Sequence, residues 1–486
     1  MDKPRAGGNL EPQLEAHAEL MDIARLAYIY GLPSYEVARL RFRALSLPRR
    51  GGHRLQVNTF WHTKVLSNPS TIDVTAVNTD TLLSRAWLDL SQGPLVIHLP
   101  DTAYRYYSLA LMDFFTNNFA VLGRRTTGTS SGDFLLAGPQ WTSAAAAEMT
   151  VIRAPTNAVW ALVRILVHGP DDLAAVGALQ DQLTISRSTL PSDTMSTSSD
   201  PLSLPVLPLD NTKPLIFLDV LNALLTENPP PARDSVVLDR LRVIGVGPSL
   251  KFNRGDFTPA QLGALRQGLA SGRDAIRAQV AFRTEGPQQS GPGSWPSDVL
   301  LARLRGPVDA TRVQMHSDRR LGWSGPIGEV GNFGTDYLLR AQCALAGLGL
   351  LPREEAMYFT TATDAAGAAL DGRDRYVLRF PPAGLPPVDA FWSLTIYRTD
   401  ESHRRWLVAN AIDRYSLGNH RPRLRYGGDG SLEILIQHDR PLVDEENWLP
   451  APEGRFLLTL RAYQPRRELL DGRYAIPDVQ RRSAFE

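Results

Sequence analysis

Tyr106-Tyr107-Ser108-Leu109-Ala110-Leu111 and, much later, Phe391-Trp392-Ser393-Leu394-Thr395-Ile396 are two renderings of one phrase: an aromatic pair, a serine, then residues suited to a strand. Aromatic and β-branched side chains favour a pleated, half-buried surface, so each phrase reads as a β-strand. The first is followed by Gly132-Asp133-Phe134-Leu135-Leu136 and the second by Gly454-Arg455-Phe456-Leu457-Leu458, which extends the echo to a second, Gly-initiated strand. Matched phrases in the same order point to an internal repeat. The expectation is two related β-units, with Tyr106 and Phe391 at equivalent positions.

The surroundings support two such units. Ala86 to Leu90, Leu95 to Leu99, Phe134 to Ala137 and Val159 to Ile165 are short apolar runs bounded by Gly, Pro, Asp and Asn, the pattern of consecutive strands. Strand texture resumes from Arg375 to Tyr463, where Gly427-Gly428-Asp429-Gly430 between Leu424 and Ile434 signals a hairpin. Residues 13–46 carry a helical stripe (Leu14, Ala18, Leu20, Ile23, Leu26, Tyr30) that Gly31 and Pro33 are expected to break. Asp171 to Leu183, Pro214 to Leu225, Ser235 to Val243, Thr258 to Phe282 and Asp336 to Leu348 also read as helices. Thr258 is placed as an N-cap ahead of Pro259. Ser186 to Pro208 is Ser/Thr/Pro-rich and reads as an irregular crossing segment. Strands that follow one another without intervening helices argue for antiparallel sandwiches.

A chain of 486 residues with 43% hydrophobic residues can bury a large core in two or three domains. Its net charge of +1 gives no global attraction to nucleic acid or an anionic membrane. Lysine occurs four times, so 48 of the 52 basic residues are arginine, a bias that reads as codon composition. Cys343 is the single cysteine, which rules out an intramolecular disulfide and a thiolate zinc cage. Met1 to Pro12 lacks the apolar core of a signal peptide, and no run reaches the roughly 18 apolar residues of a membrane span. The expectation is a cytoplasmic protein with neither nucleic acid nor membrane as a partner.

Denser motifs carry a family resemblance. Asn78-Thr79-Asp80-Thr81-Leu82, Trp87-Leu88-Asp89-Leu90-Ser91, Pro100-Asp101-Thr102, Arg105-Tyr106-Tyr107, Thr116-Asn117, Thr127-Gly128-Thr129 and Gly138-Pro139-Gln140-Trp141 resemble the domain of unknown function 1254. Ala390-Phe391-Trp392-Ser393-Leu394, Asn410, Asp413-Arg414-Tyr415-Ser416, Asp429-Gly430-Ser431-Leu432, Asn447-Trp448-Leu449-Pro450 and Leu470-Asp471-Gly472 resemble its usual partner, the domain of unknown function 1214. The resemblance implies a mainly β fold with α (α+β): two jelly-roll-like antiparallel β-sandwich domains joined by a helical insert, often as a homo-oligomer. The divisions read as 1–54 (helical), 55–185 (first β domain), 186–345 (helical and irregular) and 346–486 (second β domain). It implies no reaction, because the family has no agreed one.

Several chemistries are set aside on sequence. Gly128-Thr129-Ser130-Ser131-Gly132 spells a nucleophile elbow, but a strand follows where a helix is required. No dinucleotide fingerprint or P-loop occurs, so no organic cofactor is expected. The histidines, His98 among them, are scattered without metal-ligand spacing. Distant strands of a jelly roll can still gather ligands, so a divalent metal stays open.

The candidate catalytic pair is His62 and Asp80: an imidazole that titrates near neutrality and a carboxylate able to orient it. Asn78, Tyr107, Asp113, Asn117, Arg398 and Asn447 are the candidate substrate-binding residues, as polar groups at strand ends beside aromatic walls. Plainer roles compete. Asn78 and Asp80 suit an Asx-turn, Asp113 and Asn117 suit a turn, and Trp392 suits a core. The reading is an enzyme using acid/base chemistry (hydrolysis, elimination, isomerisation or cyclisation) on a small, fairly apolar metabolite. The alternatives are a small-molecule or carbohydrate-binding module and a structural assembly protein. An enzyme is expected to have a cleft at the domain junction, roofed by the helical insert.

Overall fold

The computed structural model describes residues 10–46, 54–71, 75–142, 149–188, 213–285, 322–325, 329–400, 404–421 and 424–482. The first β-unit comprises β1 (Trp61–His62), β2 (Thr81–Asp89), β3 (Leu95–Leu99), β4 (Tyr107–Met112), β5 (Asn118–Gly123), β6 (Gly132–Ala137), β7 (Thr150–Arg153), β8 (Ala158–Leu166) and β9 (Thr184–Arg187). They form a five-stranded sheet ordered β1-β2-β8-β4-β5 and a four-stranded sheet ordered β7-β6-β3-β9. Alternation decides which faces meet. Leu82, Ala86 and Leu88 of β2, Tyr107, Leu109 and Leu111 of β4, and Val163 and Ile165 of β8 share one buried core with Leu95, Ile97 and Leu99 of β3.

The second unit comprises β10 (Ala356–Thr361), β11 (Tyr376–Phe380), β12 (Val388–Thr399), β13 (Arg405–Trp406), β14 (Ser416–Gly418), β15 (Leu432–Gln437), β16 (Trp448–Pro450), β17 (Leu457–Pro465) and β18 (Val479–Arg481). One sheet runs β10-β17-β12-β13, with β14 also paired to β12, and the other runs β16-β15-β11-β18. Leu378, Phe380, Trp392, Leu394, Ile434, Leu458 and Leu460 fill the core between them.

The two units repeat in eight strands each; β1, beside β2, and β13, beside β12, have no counterparts. β2-β8-β4-β5 corresponds to β10-β17-β12-β14, and β7-β6-β3-β9 corresponds to β16-β15-β11-β18. Even the departures match, since β6–β7 and β15–β16 are the parallel pairs. Tyr106 leads into β4 and Phe391 lies in β12, so the opening phrases are equivalent as expected. The second half of the echo is not. Gly132 starts β6, whereas Gly454 precedes β17, the counterpart of β8. The smaller sheet of each unit is also mixed, with one parallel pair, whereas the larger sheets are antiparallel throughout. Among the described residues no strand pairing joins the two sheets of a unit, so each unit is two β-sheets packed on one core, and closure into a barrel is not shown.

Helices α1 (Leu10–Ser46), α3 (Ile216–Glu227), α4 (Ser235–Arg242), α5 (Pro259–Glu285) and α6 (Tyr337–Ala346) form one layer; α2 (Leu173–Asp181) lies at the edge of the first unit. The layer shares a core with Trp87, Met112, Trp160 and Leu162, on the outer face of the first unit's larger sheet. The N-terminal helix and the helical insert thus belong to the same layer. α1 continues through Pro33. Proline removes one intrahelical hydrogen bond, and burial of Ile29, Tyr30, Leu32 and Tyr35 against the other helices outweighs that loss. Gly31 serves close approach: a Cβ there would stand 2.7 Å from Leu221 of α3. α5 has the expected N-cap at Thr258, which Gln261 completes as a capping box: Thr258 N donates to Gln261 Oε1 and Gln261 N to Thr258 Oγ1. The Gly427–Gly430 turn forms, with Gly427 N bonded to Ser431 O, but its N-terminal flank is not a strand and no hairpin results. Most of the Ser186 to Pro208 crossing, from residue 189, lies outside the described residues.

A candidate ligand cavity where the two units meet

The strand register makes the equivalence residue-specific. Ser108 pairs with Arg164 across β4–β8, and Ser393 pairs with Arg461 across β12–β17. Thr81 lies opposite Leu166 and Ala356 opposite Tyr463, so Asp80 and Glu355, one residue before each, are also counterparts. The equivalent faces turn toward each other. Tyr106 and Phe391 meet edge to face at 5.4 Å between ring centroids, and Phe391 stacks on Tyr463 at 4.1 Å. With Ala110, Leu166, Leu351 and Ala356 they form a buried junction cluster. The contact resembles an isologous interface between two copies, built within one chain.

Beside this cluster lies a cavity of about 230 Å³ lined by both units. Leu83, Arg85, Leu162 and Arg164 come from the first sheet, and their counterparts Tyr358, Thr360, Thr459 and Arg461 come from the second. The end of α6 and the segment after it close one side with Cys343, Leu348 and Gly349. Gly349 has φ +91°, and a Cβ there would press on the Trp160 ring at 3.3 Å, so glycine lets the segment lie flat on the first sheet.

Arg85, Arg164, Arg405 and Arg461 line this cavity, and among the described residues its lining includes no Asp, Glu or His. Arg461 is anchored, donating to Thr395 Oγ1 at 2.8 Å, Ala76 O at 2.9 Å and Tyr397 OH at 2.6 Å. Arg164 donates from Nη2 to Gly349 O at 2.7 Å, while its Nη1 is buried without an acceptor among the described residues. Among the described residues the guanidinium of Arg405 makes one long bond, Nη1 to Thr360 Oγ1 at 3.5 Å. Burial and the neighbouring Arg461 charge push Arg405 down to about 10, still charged at neutral pH. Gln342 Oε1 and Thr459 Oγ1, from two further lining residues, are likewise buried without partners. Unpartnered buried polar atoms are costly and call for an explanation.

Asp80 lies deeper in the junction, fully buried. Its carboxylate accepts from Ser393 Oγ at 2.6 Å and Ser416 Oγ at 2.8 Å, with His420 Nε2 at 3.4 Å. Burial, the largest influence, opposes its ionisation, but His420, the charge of Arg421 and the Ser393 hydroxyl outweigh it and hold the carboxyl far below the usual range. Glu355, its counterpart, accepts from Tyr106 OH at 2.9 Å and Arg125 Nε at 2.7 Å. Each unit thus buries an acid against the other.

The sequence candidates are dispersed by the fold. Asn78 alone among them lines the cavity. It also forms the Asx-turn, accepting from Asp80 N and Thr81 N, and its Nδ2 is 3.4 Å from Tyr463 OH. His62 sits on edge strand β1 with Nδ1 2.8 Å from Ser84 Oγ, away from Asp80, whose imidazole neighbour is His420. Burial and then Lys64 lower the pKa of His62. Asp113 closes a buried turn by accepting from the amides of Phe115 and Asn117, while Asn117 Oδ1 accepts from Phe333 N. Burial raises the pKa of Asp113. Tyr107 belongs to the first core. Arg398 is exposed opposite Trp406, and Asn447 clips the backbone of Arg425. The candidate catalytic pair, His62 and Asp80, therefore does not line the cavity at the junction, and neither do Tyr107, Asp113 and Asn117. Among the described residues no group of three or more His, Cys, Asp or Glu could hold a metal ion, and no helix is long and apolar enough to cross a membrane.

These features define a protein of two repeated β-units enclosing a cavity at their junction. Residues 57–187 match the family described as "Protein of unknown function (DUF1254)", and residues 355–467 match "Protein of unknown function (DUF1214)". The chain belongs to the two-domain family that carries both. It is similar to the crystal structure of the VPA0106 protein from Vibrio parahaemolyticus, at 25% identity and a TM-score of 0.64, over 96% of this chain and 100% of that one. A putative uncharacterized protein from Burkholderia cenocepacia matches at 14% identity and a TM-score of 0.40, over 98% and 91% of the two chains. No curated protein matches.

Proposed function

We propose that the chain binds a small molecule in the cavity between its two β-units. The observation that carries this reading is the cavity itself: about 230 Å³, walled by equivalent strand positions from both units, with Arg164, Gln342 and Thr459 each holding a buried polar atom that has no partner among the described residues. Its volume falls below the roughly 300–1,000 Å³ typical of drug-sized ligands, so the ligand is a small metabolite. Binding is favoured over acid/base turnover because proton transfer needs a group poised near the working pH. Among the described lining residues the titratable groups are phenols, guanidinia and the single Cys343 thiol, with no carboxylate or imidazole, and burial drives the Tyr463 phenol well above its ordinary range.

The test is a thermal-shift screen of small metabolites against the natural chain and a Leu348→Trp variant, whose indole would fill the cavity from its half-buried rim. A ligand at 100 times its Kd stabilises the folded state by about 2.7 kcal/mol. That stabilisation should disappear in the folded variant. Equal stabilisation of both chains would place the ligand elsewhere and remove the cavity from the reading.

A further inference from the structure

The charge of the cavity is unbalanced, and the imbalance names a ligand class. Among the described residues four guanidinium groups line it without one carboxylate, and one of the four, Arg85, lies over the Trp61 ring. Withdrawing a cation from water costs several kcal/mol unless an anion or a full set of acceptors replaces the solvent. Arg461 has such a set in Thr395, Ala76 and Tyr397, and it also feels the charge of Asp80. Asp80 cannot serve the rest: two serine hydroxyls and His420 occupy its oxygens, and it does not line the cavity. Among the described residues Arg164 and Arg405 are left with donors to spare.

The walls supply the other half of the recognition. Trp160, Leu162, Leu83, Val330 and Leu348 present apolar surface to the same space. Guanidinium groups match the two oxygens of a carboxylate in direction and spacing. We propose that the junction cavity takes a small organic carboxylate, its anion held by Arg164 and Arg405 beside Arg461 and its short apolar body lying against Trp160, Leu162 and Leu348. The proposal rests on the small-molecule reading above and adds charge to it. Arg405 and Arg461 come from the second unit and Arg164 from the first, so the bound anion would bridge the two.

The experiment is calorimetric titration of the full chain with matched pairs: butyrate, hexanoate, octanoate and benzoate, each beside its neutral amide. Inorganic phosphate is a separate arm. A charge-assisted hydrogen bond contributes enough for at least about a 10-fold preference, so one or more acids should bind at least about 10-fold more tightly than the amide of the same shape. Arg405→Gln, which forfeits one long protein hydrogen bond, should cut that preference to about 3-fold or less while amide binding is kept. Arg164→Lys, which keeps the charge and loses the fork, should weaken the acid as well. Acids and amides binding alike in a Leu348→Trp-sensitive manner would leave the cavity a ligand site and overturn the carboxylate assignment. Phosphate binding more tightly than every carboxylate would overturn it too. If acids bind preferentially but Leu348→Trp and Arg405→Gln change nothing, the anion sits elsewhere and both readings fall.

Discussion

Replacing Asp80 with Asn probes the buried contact that ties the two β-units together. The carboxylate accepts two serine hydroxyls of the second unit at 2.6 and 2.8 Å and faces His420 at 3.4 Å, with no solvent exposure. Hydrogen bonds to a charged group contribute about 1.5–3 kcal/mol each. An Asn side chain keeps one acceptor and turns an NH2 toward the other hydroxyl, so one such bond goes. The negative charge facing His420 and Arg421 goes as well. Together these approach the roughly 3–5 kcal/mol typical of breaking a buried pair from one side. Urea unfolding at pH 7 measures the loss. The pH dependence supplies a second check. Because the folded-state pKa of Asp80 is depressed, its contribution is complete above the unfolded value near 3.9 and is lost as pH falls toward the folded one. The gap between natural chain and variant should therefore narrow as pH drops below about 4. A folded variant that loses less than about 1 kcal/mol at pH 7, or a gap that does not narrow in acid, would refute the reasoning.

Other substitutions test neighbouring parts of the account. Tyr106→Phe removes the hydroxyl that Glu355 accepts at 2.9 Å and should cost about 1.5–3 kcal/mol in denaturant unfolding; a neutral change would mean that Arg125 alone satisfies the acid. Gly349→Ala should cost about 1–3 kcal/mol, since φ is +91° and the new methyl meets Trp160, with thermal melting as the check. Arg41→Met breaks a two-pronged pair with Glu227, at 2.6 and 2.8 Å, that fastens α1 to α3. A loss of about 3–5 kcal/mol is expected, and calorimetric unfolding that leaves the β-units' transition unchanged would confine it to the helical layer.

Local patterning carried the elements. Thr258 ahead of Pro259 marked a helix start because the first-turn amides need a cap, and the Tyr106 and Phe391 phrases marked equivalent strands because the same face of each serves the same junction. The Gly132 and Gly454 likeness misled because a glycine before an apolar strand records only a turn, not which strand follows. Pro33 misled in the opposite sense: a local breaker was overruled by packing from helices nearly two hundred residues or more further along the chain. The cavity was less legible. Asn78 stood out within its polar tract, but Arg164, Arg405 and Arg461 are three of 48 arginines brought together only by sheet register. One signal was available for two of them: Val163-Arg164-Ile165 and Leu460-Arg461-Ala462 each set an arginine inside an apolar strand, where an unneutralised cation has no ordinary reason to be. His420, the imidazole beside Asp80, had no local mark, and the nearer His62 drew the assignment.

The most direct measurement is a crystal structure of the chain grown with the carboxylate that binds it most tightly. The account predicts ligand density at the junction, carboxylate oxygens within hydrogen-bonding distance of Arg164 and Arg405, and the apolar body against Trp160 and Leu162. Ligand density on another surface, with the junction holding only water, would contradict it.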